Sequence, residues 1–170
     1  DSTAFQKAVE QKEWAKATGL YKGQFLQGHK ADDESEFDAW GELERARFEE
    51  LYQEAVENYV SILEQKEDYE TALSVVRKAL EKDSLNETWH QAVMRLEFKR
   101  GNSEGALEQF ERCRETLQKE LSVEPLKETL ELLQTIEQGG LTQAKYALLL
   151  KRPEAVPDVP ATLFGRESLL

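Results

Sequence analysis

The feature that most constrains the fold of this chain is a segment that recurs at an offset of 34 residues. Residues 68–79 and residues 102–113 each open with a side chain that suits a helix start, and each continues with small and apolar residues at helical spacing. The equivalent pairs are Asp68/Asn102, Glu70/Glu104, Ala72/Ala106, Leu73/Leu107, Val76/Phe110 and Ala79/Cys113. The matches fall where packed helices need small or apolar side chains, so the pattern predicts a helical repeat.

A period of 34 residues is that of tetratricopeptide units, in which each unit is a pair of antiparallel helices. One pair cannot bury its own apolar face, whereas stacked pairs can, so the repeat predicts an all-α superhelix. The composition agrees, because the chain has only 4 prolines and is rich in helix-forming Glu, Lys, Gln, Leu and Ala. We expect about seven to eight antiparallel helices in one tetratricopeptide-like domain, which would cover residues 1–150.

Helix start and stop signals predict the remaining elements. The apolar pattern of residues 2–20 is helical with a break near residues 11–12, and a wide apolar stripe predicts one long helix over residues 36–65. Further helices are expected over residues 87–99 and 102–121.

The signals near the end of the chain are of a different kind. Pro125 opens a helix that we expect to stop at Gly139 and Gly140, and a last helix would cover residues 141–150. Three prolines then predict a linker over residues 151–162.

Trp40 has two interpretations. Aromatic side chains are favoured at protein interfaces, so an exposed Trp40 would suit a partner-binding anchor. Packing of Trp40 in the core, against Phe25 and Trp14, is the interpretation that we favour.

The charge and the cysteine content limit the classes of partner. With 22 basic and 34 acidic residues the net charge is −12, which repels phosphate backbones, so we expect DNA contacts only through a separate domain. A single cysteine permits no internal disulfide, which suits the cytoplasm. No apolar run approaches the roughly 18–20 residues that a membrane span requires, and no signal peptide is visible.

The sequence carries no arrangement of residues that indicates catalysis. The two histidines, His29 and His90, are far apart, and there is no nucleophile motif, no phosphate-binding lysine loop and no Cys/His cluster. Cys113 occupies an alanine-equivalent repeat position, so we expect a small buried side chain. We therefore predict a protein that is not an enzyme and that holds no cofactor or metal.

A superhelix of helix pairs instead offers a concave surface formed by the first helix of each pair. The repeat places on this surface a set of mostly polar residues from two neighbouring units, which are Glu54, Glu57, Ser61, Glu64, Thr88, Gln91, Arg95 and Phe98. We predict that they form a partner-binding groove. For Phe98 two alternatives stay open, since the ring could be exposed in the groove or packed on the C-terminal helices.

Several short motifs resemble those of one family, the bacterial transcriptional activator domain. Residues 20–28 read LYKGQFLQG, similar to the family's LYrGdFLpG, and residues 83–87 read DSLNE, similar to DPlnE, with His90 and Met94 following in place. Trp40 with residues 44–47 and 51–52, and LSVEP at residues 121–125 with Glu128 and Thr129, also match. The resemblance covers about residues 4–137, and the proline of DPlnE is replaced by Ser84.

The resemblance implies the regulatory helical-repeat domain of a transcriptional activator, of the kind found in streptomycete antibiotic-pathway regulators and in large ATP-dependent activators. Such a domain would couple a flanking DNA-binding domain to signalling or to oligomerisation. Its partners would be flanking domains of the same chain, RNA polymerase or a second copy of itself.

Both ends of the chain suggest a piece of a longer protein, since the only methionine is Met94. Residues 163–167 read LFGRE, which resembles the FvGRe opening of signal-transduction ATPase domains, so residues 163–170 would begin such a domain. ATP would then bind downstream and not within this chain. A winged-helix DNA-binding domain would precede it.

A second function remains open on the sequence alone. A general tetratricopeptide adaptor, unrelated to transcription, would capture a partner peptide in the same concave groove.

Overall fold

Helices form where start signals precede apolar residues at helical spacing. The computed structural model describes residues 2–21 and 35–150, with side chains for residues 2–21 and 40–140. In chain order its helices are α1 (Ser2–Glu10), α2 (Trp14–Leu20), α3 (Ser35–Gln65), α4 (Tyr69–Lys82), α5 (Glu87–Lys99), α6 (Ser103–Leu121) and α7 (Lys127–Leu150). No strand occurs among the described residues, and the predicted all-α fold is confirmed.

Three of the predicted helix starts carry side-chain caps. Asp68 and Asn102 each accept a hydrogen bond from the backbone N–H three residues later, at 3.2 and 3.1 Å. Asn86 accepts one from the backbone N–H of Thr88 at 3.0 Å. Because Asp68 and Asn102 are equivalent positions of the repeat, α4 and α6 begin by the same local mechanism.

The core lies where the helix pairs stack. Residues from α1 to α5 form one apolar cluster, and Met94, Ala106, Phe110 and Ile136 join α5, α6 and α7 in a second. The small repeat positions are fully buried as predicted, and this set comprises Ala72, Ala106, Ala79 and Cys113. Small side chains there let neighbouring helix backbones approach closely.

One pair of repeat positions behaves differently in the two units. Leu73 of α4 is 1% exposed, whereas its equivalent Leu107 of α6 is 36% exposed. A third unit on the same period would start its first helix 34 residues after Glu87, at Leu121, but α6 continues to that residue. The strict 34-residue period therefore does not extend to α7, which begins at Lys127.

The predicted stop at Gly139 and Gly140 is wrong, because α7 runs through both residues without interruption. A Cβ atom at Gly139 would lie 3.0 Å from Cε2 of Phe98 and closer still to its Cζ. A Cβ at Gly140 would lie 3.4 Å from the Ser103 side chain. These glycines allow α7 to cross α5 and α6 closely, so they serve packing and not termination.

Aromatic side chains attach the N-terminal helices to the rest of the domain. Phe5 of α1 lies 5.4 Å from the ring of Tyr21 and 5.9 Å from that of Phe48 on α3. Tyr21 stacks on Tyr52 at 4.2 Å, and burial followed by the neighbouring Tyr21 raises the pKa of Tyr52 to about 12. The break predicted near residues 11–12 is confirmed, and Lys12 adopts a positive φ of 56° there.

The expectation that Trp40 belongs to the core is wrong, since its side chain is 48% exposed. Trp40 lies in the second turn of α3, which begins at Ser35. Its expected neighbour Phe25 lies outside the described residues, as do the linker at 151–162 and residues 163–170.

Replacing Gly139 with alanine tests the close crossing of α7 with α5. Alanine is intrinsically better in a helix, but its Cβ would overlap the Phe98 ring, which is held among Met94, Phe110 and Ile136. We expect Gly139→Ala to lower the free energy of unfolding by about 1–2 kcal/mol in urea titrations. Gly19→Ala is the control, since a Cβ there meets nothing within 4 Å, and it should raise that free energy by about 0.5–1 kcal/mol. Equal stabilisation by both substitutions would contradict the crossing.

Candidate functional site

A groove of about 280 Å³ lies between α3 and α5. Its floor is apolar, formed by Val60, Val76, Trp89 and Ala92, all of which are buried. Its rim is polar, with one wall on α3 and the other on α5, and the rim residues are Glu57, Ser61, Glu64, Thr88, Gln91 and Arg95. An apolar floor with a polar rim is the usual character of a binding site in a protein.

Helical spacing explains why rim and floor alternate. On α3, Ser61 and Glu64 follow Glu57 by one and two turns, so the three share one face with Val60 between them. On α5 the rim residues recur in the same way around Trp89 and Ala92. Val76 of α4 closes the floor from behind.

The structure brings six of the eight residues predicted for the groove into its rim. Glu54 is exposed on α3 but lies one turn short of the groove. Phe98 does not line the groove and packs on the second apolar cluster, as Leu132 and Leu133 of α7 also do, with its ring next to Gly139 of α7. Of the two alternatives for Phe98, packing on the C-terminal helices is therefore the correct one.

Sequence reasoning missed the floor residues. Val60, Trp89 and Ala92 look like ordinary core positions in the sequence, and each is buried. The available signal is their spacing of one to four residues from the rim residues on the same helices. This spacing does not distinguish an apolar helix face that lines a groove from one that another helix covers.

One end of the groove is closed by an ion-pair network. Both nitrogens Nη2 and Nε of Arg95 donate to Oε1 of Glu64, at 2.9 and 3.2 Å, and Nζ of Lys99 donates to Oε2 at 2.5 Å. Partial burial alone would raise the pKa of Glu64, but the bonds from Lys99 and Arg95 outweigh it and hold the pKa below its usual value. Glu64 is therefore an ionised anchor between α3 and α5.

The surface of α3 that leads away from the other end of the groove is acidic. Glu50, Glu54 and Glu57 follow one another at spacings of four and three along α3, and all three are exposed. Glu57 accepts a hydrogen bond from the Gln53 amide at 3.0 Å, and none of the three carboxylates forms an ion pair with a residue in the described part of the chain. The groove thus has a negative end and an end where charges are matched.

Two buried polar side chains of α5 face away from the groove and bond to neighbouring helices. His90 lies between the Ser84 carbonyl, 2.9 Å from Nε2, and the Gln109 amide, 2.7 Å from Nδ1. A carbonyl only accepts, so Nε2 of His90 carries the proton and Nδ1 accepts from Gln109. These bonds attach the turn before α5, and α6, to α5.

Glu97, the second of these buried polar side chains, is 2% exposed. Its carboxylate accepts hydrogen bonds from Arg77 at 2.6 Å, from Arg100 at 2.7 Å and from Asn102 at 2.8 Å. Among the described side chains, no buried nitrogen or oxygen lacks a hydrogen-bond partner. The buried polar groups of this region therefore stabilise the fold by pairing with one another.

Cys113 has the environment of a packing residue. It is fully buried, and burial followed by the negative charge of Glu87 raises the pKa of its thiol to about 12. Such a thiol is protonated at neutral pH and is a poor nucleophile. Among the side chains of residues 2–21 and 40–140, no group of three or more acidic, histidine or cysteine residues is arranged to hold a metal ion. None of the helices described is both long enough and apolar enough to cross a membrane.

A scan against models of protein families matches residues 1–137 to the bacterial transcriptional activator domain. The match covers most of the chain, from α1 into α7, and includes both walls of the groove. Neither a search of curated proteins nor a search of solved structures finds a match.

Substituting Glu64 tests the ion-pair network with a defined pH dependence. Because the folded-state pKa of Glu64 lies below the usual 4.5, its contribution to stability is present above that pH and is lost as the pH falls through the lowered value. We expect Glu64→Gln to lower Tm by about 2–4 °C at neutral pH, and the difference from the wild type should shrink as the pH falls below 4.5.

The control for this measurement is Glu81→Gln, which changes an exposed glutamate of α4 and should leave Tm nearly unchanged at both pH values. If the Glu64→Gln difference persisted at low pH, the loss would come from packing and not from the charge of Glu64.

Proposed function

Because the chain belongs to the bacterial transcriptional activator domain family, we infer that it is the regulatory module of a transcriptional activator. We propose that it is non-catalytic and that it binds a segment of a protein partner in the groove between α3 and α5. In this role it couples a flanking DNA-binding domain to signalling or to oligomerisation.

The groove is the observation that carries the proposal. Helical repeats use the concave face formed by their first helices for binding, and α3 and α5 are the first helices of the two repeat units. A floor of four buried apolar residues accepts an apolar side chain, and the polar rim supplies hydrogen-bonding groups for a peptide backbone.

The charge of the groove indicates the chemistry of the partner. Glu50, Glu54 and Glu57 place three negative charges at one end, so a bound segment with a lysine or arginine there is favoured. At the other end Arg95 and Lys99 are already paired with Glu64. We therefore propose a partner segment that carries one apolar side chain and a neighbouring basic one.

The partner candidates are proteins. They are a flanking domain of the same chain, RNA polymerase, or a second copy of this protein. A net charge of −12 disfavours direct contact with DNA, which would instead take place through a separate domain.

Blocking the groove tests this proposal in the full-length activator. Ser61→Arg places a long cation between Glu57 and Glu64, where it fills the groove and neutralises its acidic wall. We expect transcription from a reporter to fall about tenfold or more while DNA binding is unchanged, because lost interface contacts of this kind cost at least about 1.4 kcal/mol. Ser74→Arg is the matched control, which changes another exposed serine, on α4 and outside the groove.

Equal activation by the Ser61→Arg and Ser74→Arg proteins would refute groove binding. A full-length protein that ignores DNA, yet captures a protein in a way that Ser61→Arg abolishes, would instead support the general adaptor.

The charge also predicts the behaviour of this chain by itself. We expect residues 1–150 to show no binding to duplex DNA in fluorescence anisotropy at salt concentrations where the full-length activator binds. Retention of DNA by the isolated domain would place a DNA contact within it and contradict the separate-domain arrangement.

A further inference from the structure

Gln91 belongs to two parts of the structure at once. It lines the groove on the α5 wall, and its Nε2 donates a hydrogen bond to Oγ1 of Thr129 on α7 at 2.8 Å. Thr129 is fully buried, and it lies 38 residues further along the chain. The groove and α7 therefore share one side chain.

Gln91, Thr129 and Glu87 form a series of hydrogen bonds, and the carboxylate of Glu87 at its end determines the direction of each bond. Oγ1 of Thr129 donates to Oε2 of Glu87 at 2.7 Å, since a carboxylate can only accept. The single hydroxyl proton of Thr129 is then committed, so Thr129 can only accept from Gln91. This fixes the amide orientation of Gln91 and leaves its carbonyl oxygen and one N–H for a ligand in the groove.

Glu87, at the end of this series of hydrogen bonds, also holds the start of α7. The backbone N–H of Leu126, the residue before α7, donates to Oε2 of Glu87 at 2.9 Å. A leucine side chain cannot cap a helix, and Glu87 of α5 instead holds the residue at the cap position by accepting from its backbone N–H. The first turn of α7 is therefore held by a residue that also, through Thr129, orients Gln91.

We propose that Gln91 couples the groove to α7. Docking of α7 holds the Gln91 amide in the orientation that a bound segment meets, and Gln91 in turn stabilises the docked start of α7. A side chain that is already ordered loses less conformational entropy on binding, and such coupling is reciprocal. The effect on a bound segment rests on the proposed function, whereas the coupling within the chain does not.

Two substitutions of Thr129 separate positioning from packing. Thr129→Val keeps the volume and removes the hydroxyl, whereas Thr129→Ser keeps the hydroxyl and removes the buried methyl. In NMR hydrogen exchange, we expect the side-chain amide protons of Gln91 to exchange about tenfold faster in Thr129→Val, the effect of losing one hydrogen bond, and to stay near the wild-type rate in Thr129→Ser. A purely structural Thr129 would give the opposite order, and that result would overturn the proposal.

Substituting Gln91 tests the coupling from the side of the groove. Gln91→Glu keeps the shape, but its carboxylate cannot donate to Thr129 and lies on the same side as Glu87. We expect the backbone amides of Leu126 and of the first turn of α7 to exchange about tenfold faster, while the α4 amides are unchanged. Thr88→Val, in the same groove wall, is the control and should leave the α7 amides unchanged.

Unchanged exchange in α7 of the Gln91→Glu protein, or equal acceleration in α4, would overturn the coupling. Neither measurement uses a partner, so its failure is distinguishable from a failure of the proposed function. If Ser61→Arg left activation intact while the exchange results held, the coupling would stand and groove binding would fall.

Discussion

The structure depends on α5, which is packed on most of its circumference and must satisfy its polar side chains within the protein. Seven of its residues are buried, and two of them, His90 and Glu97, are polar. A buried polar group without a partner costs about 1–3 kcal/mol, and a charged one costs more. Arg77 of α4 meets this demand at Glu97, and Gln109 of α6 meets it at His90. The partly exposed Arg95 and Gln91 add polar pairs to the two remaining neighbours, Glu64 of α3 and Thr129 of α7.

These polar pairs do what apolar packing alone does not. Alanine and valine contacts tolerate small slides of one helix along another, whereas a hydrogen bond of 2.6–2.9 Å is weakened when its donor and acceptor move apart. The pairs therefore set the position of each helix along α5. One face of α5 lines the groove and another contacts α7. A displacement of side chains at either face therefore acts on the same helix.

The sequence predicted those features of the structure that depend on residues close together along the chain or on a regular repeat. The 34-residue repeat, the three capping residues and the helix periodicity specified the architecture and six of the groove rim residues. It failed where one residue type serves two purposes, since Gly139 and Gly140 suit a helix end as well as a close helix crossing. The Gln91–Thr129 and Glu87–Thr129 bonds join residues 38 and 42 positions apart, and they depend on side-chain rotamers that no sequence pattern specifies.

The positions that carry the family resemblance differ from the positions that form the groove rim. Glu87, His90 and Thr129, all within quoted motifs, lie at the joints between α5 and its neighbours. None of the groove rim residues, such as Ser61, Gln91 or Arg95, belongs to those motifs. The quoted motifs therefore include residues that attach neighbouring elements to α5, and they do not include the rim residues. Under the proposed function these two sets of residues have separate tasks, since the joints and the link through Thr129 hold the helices in place and the rim side chains select the partner segment.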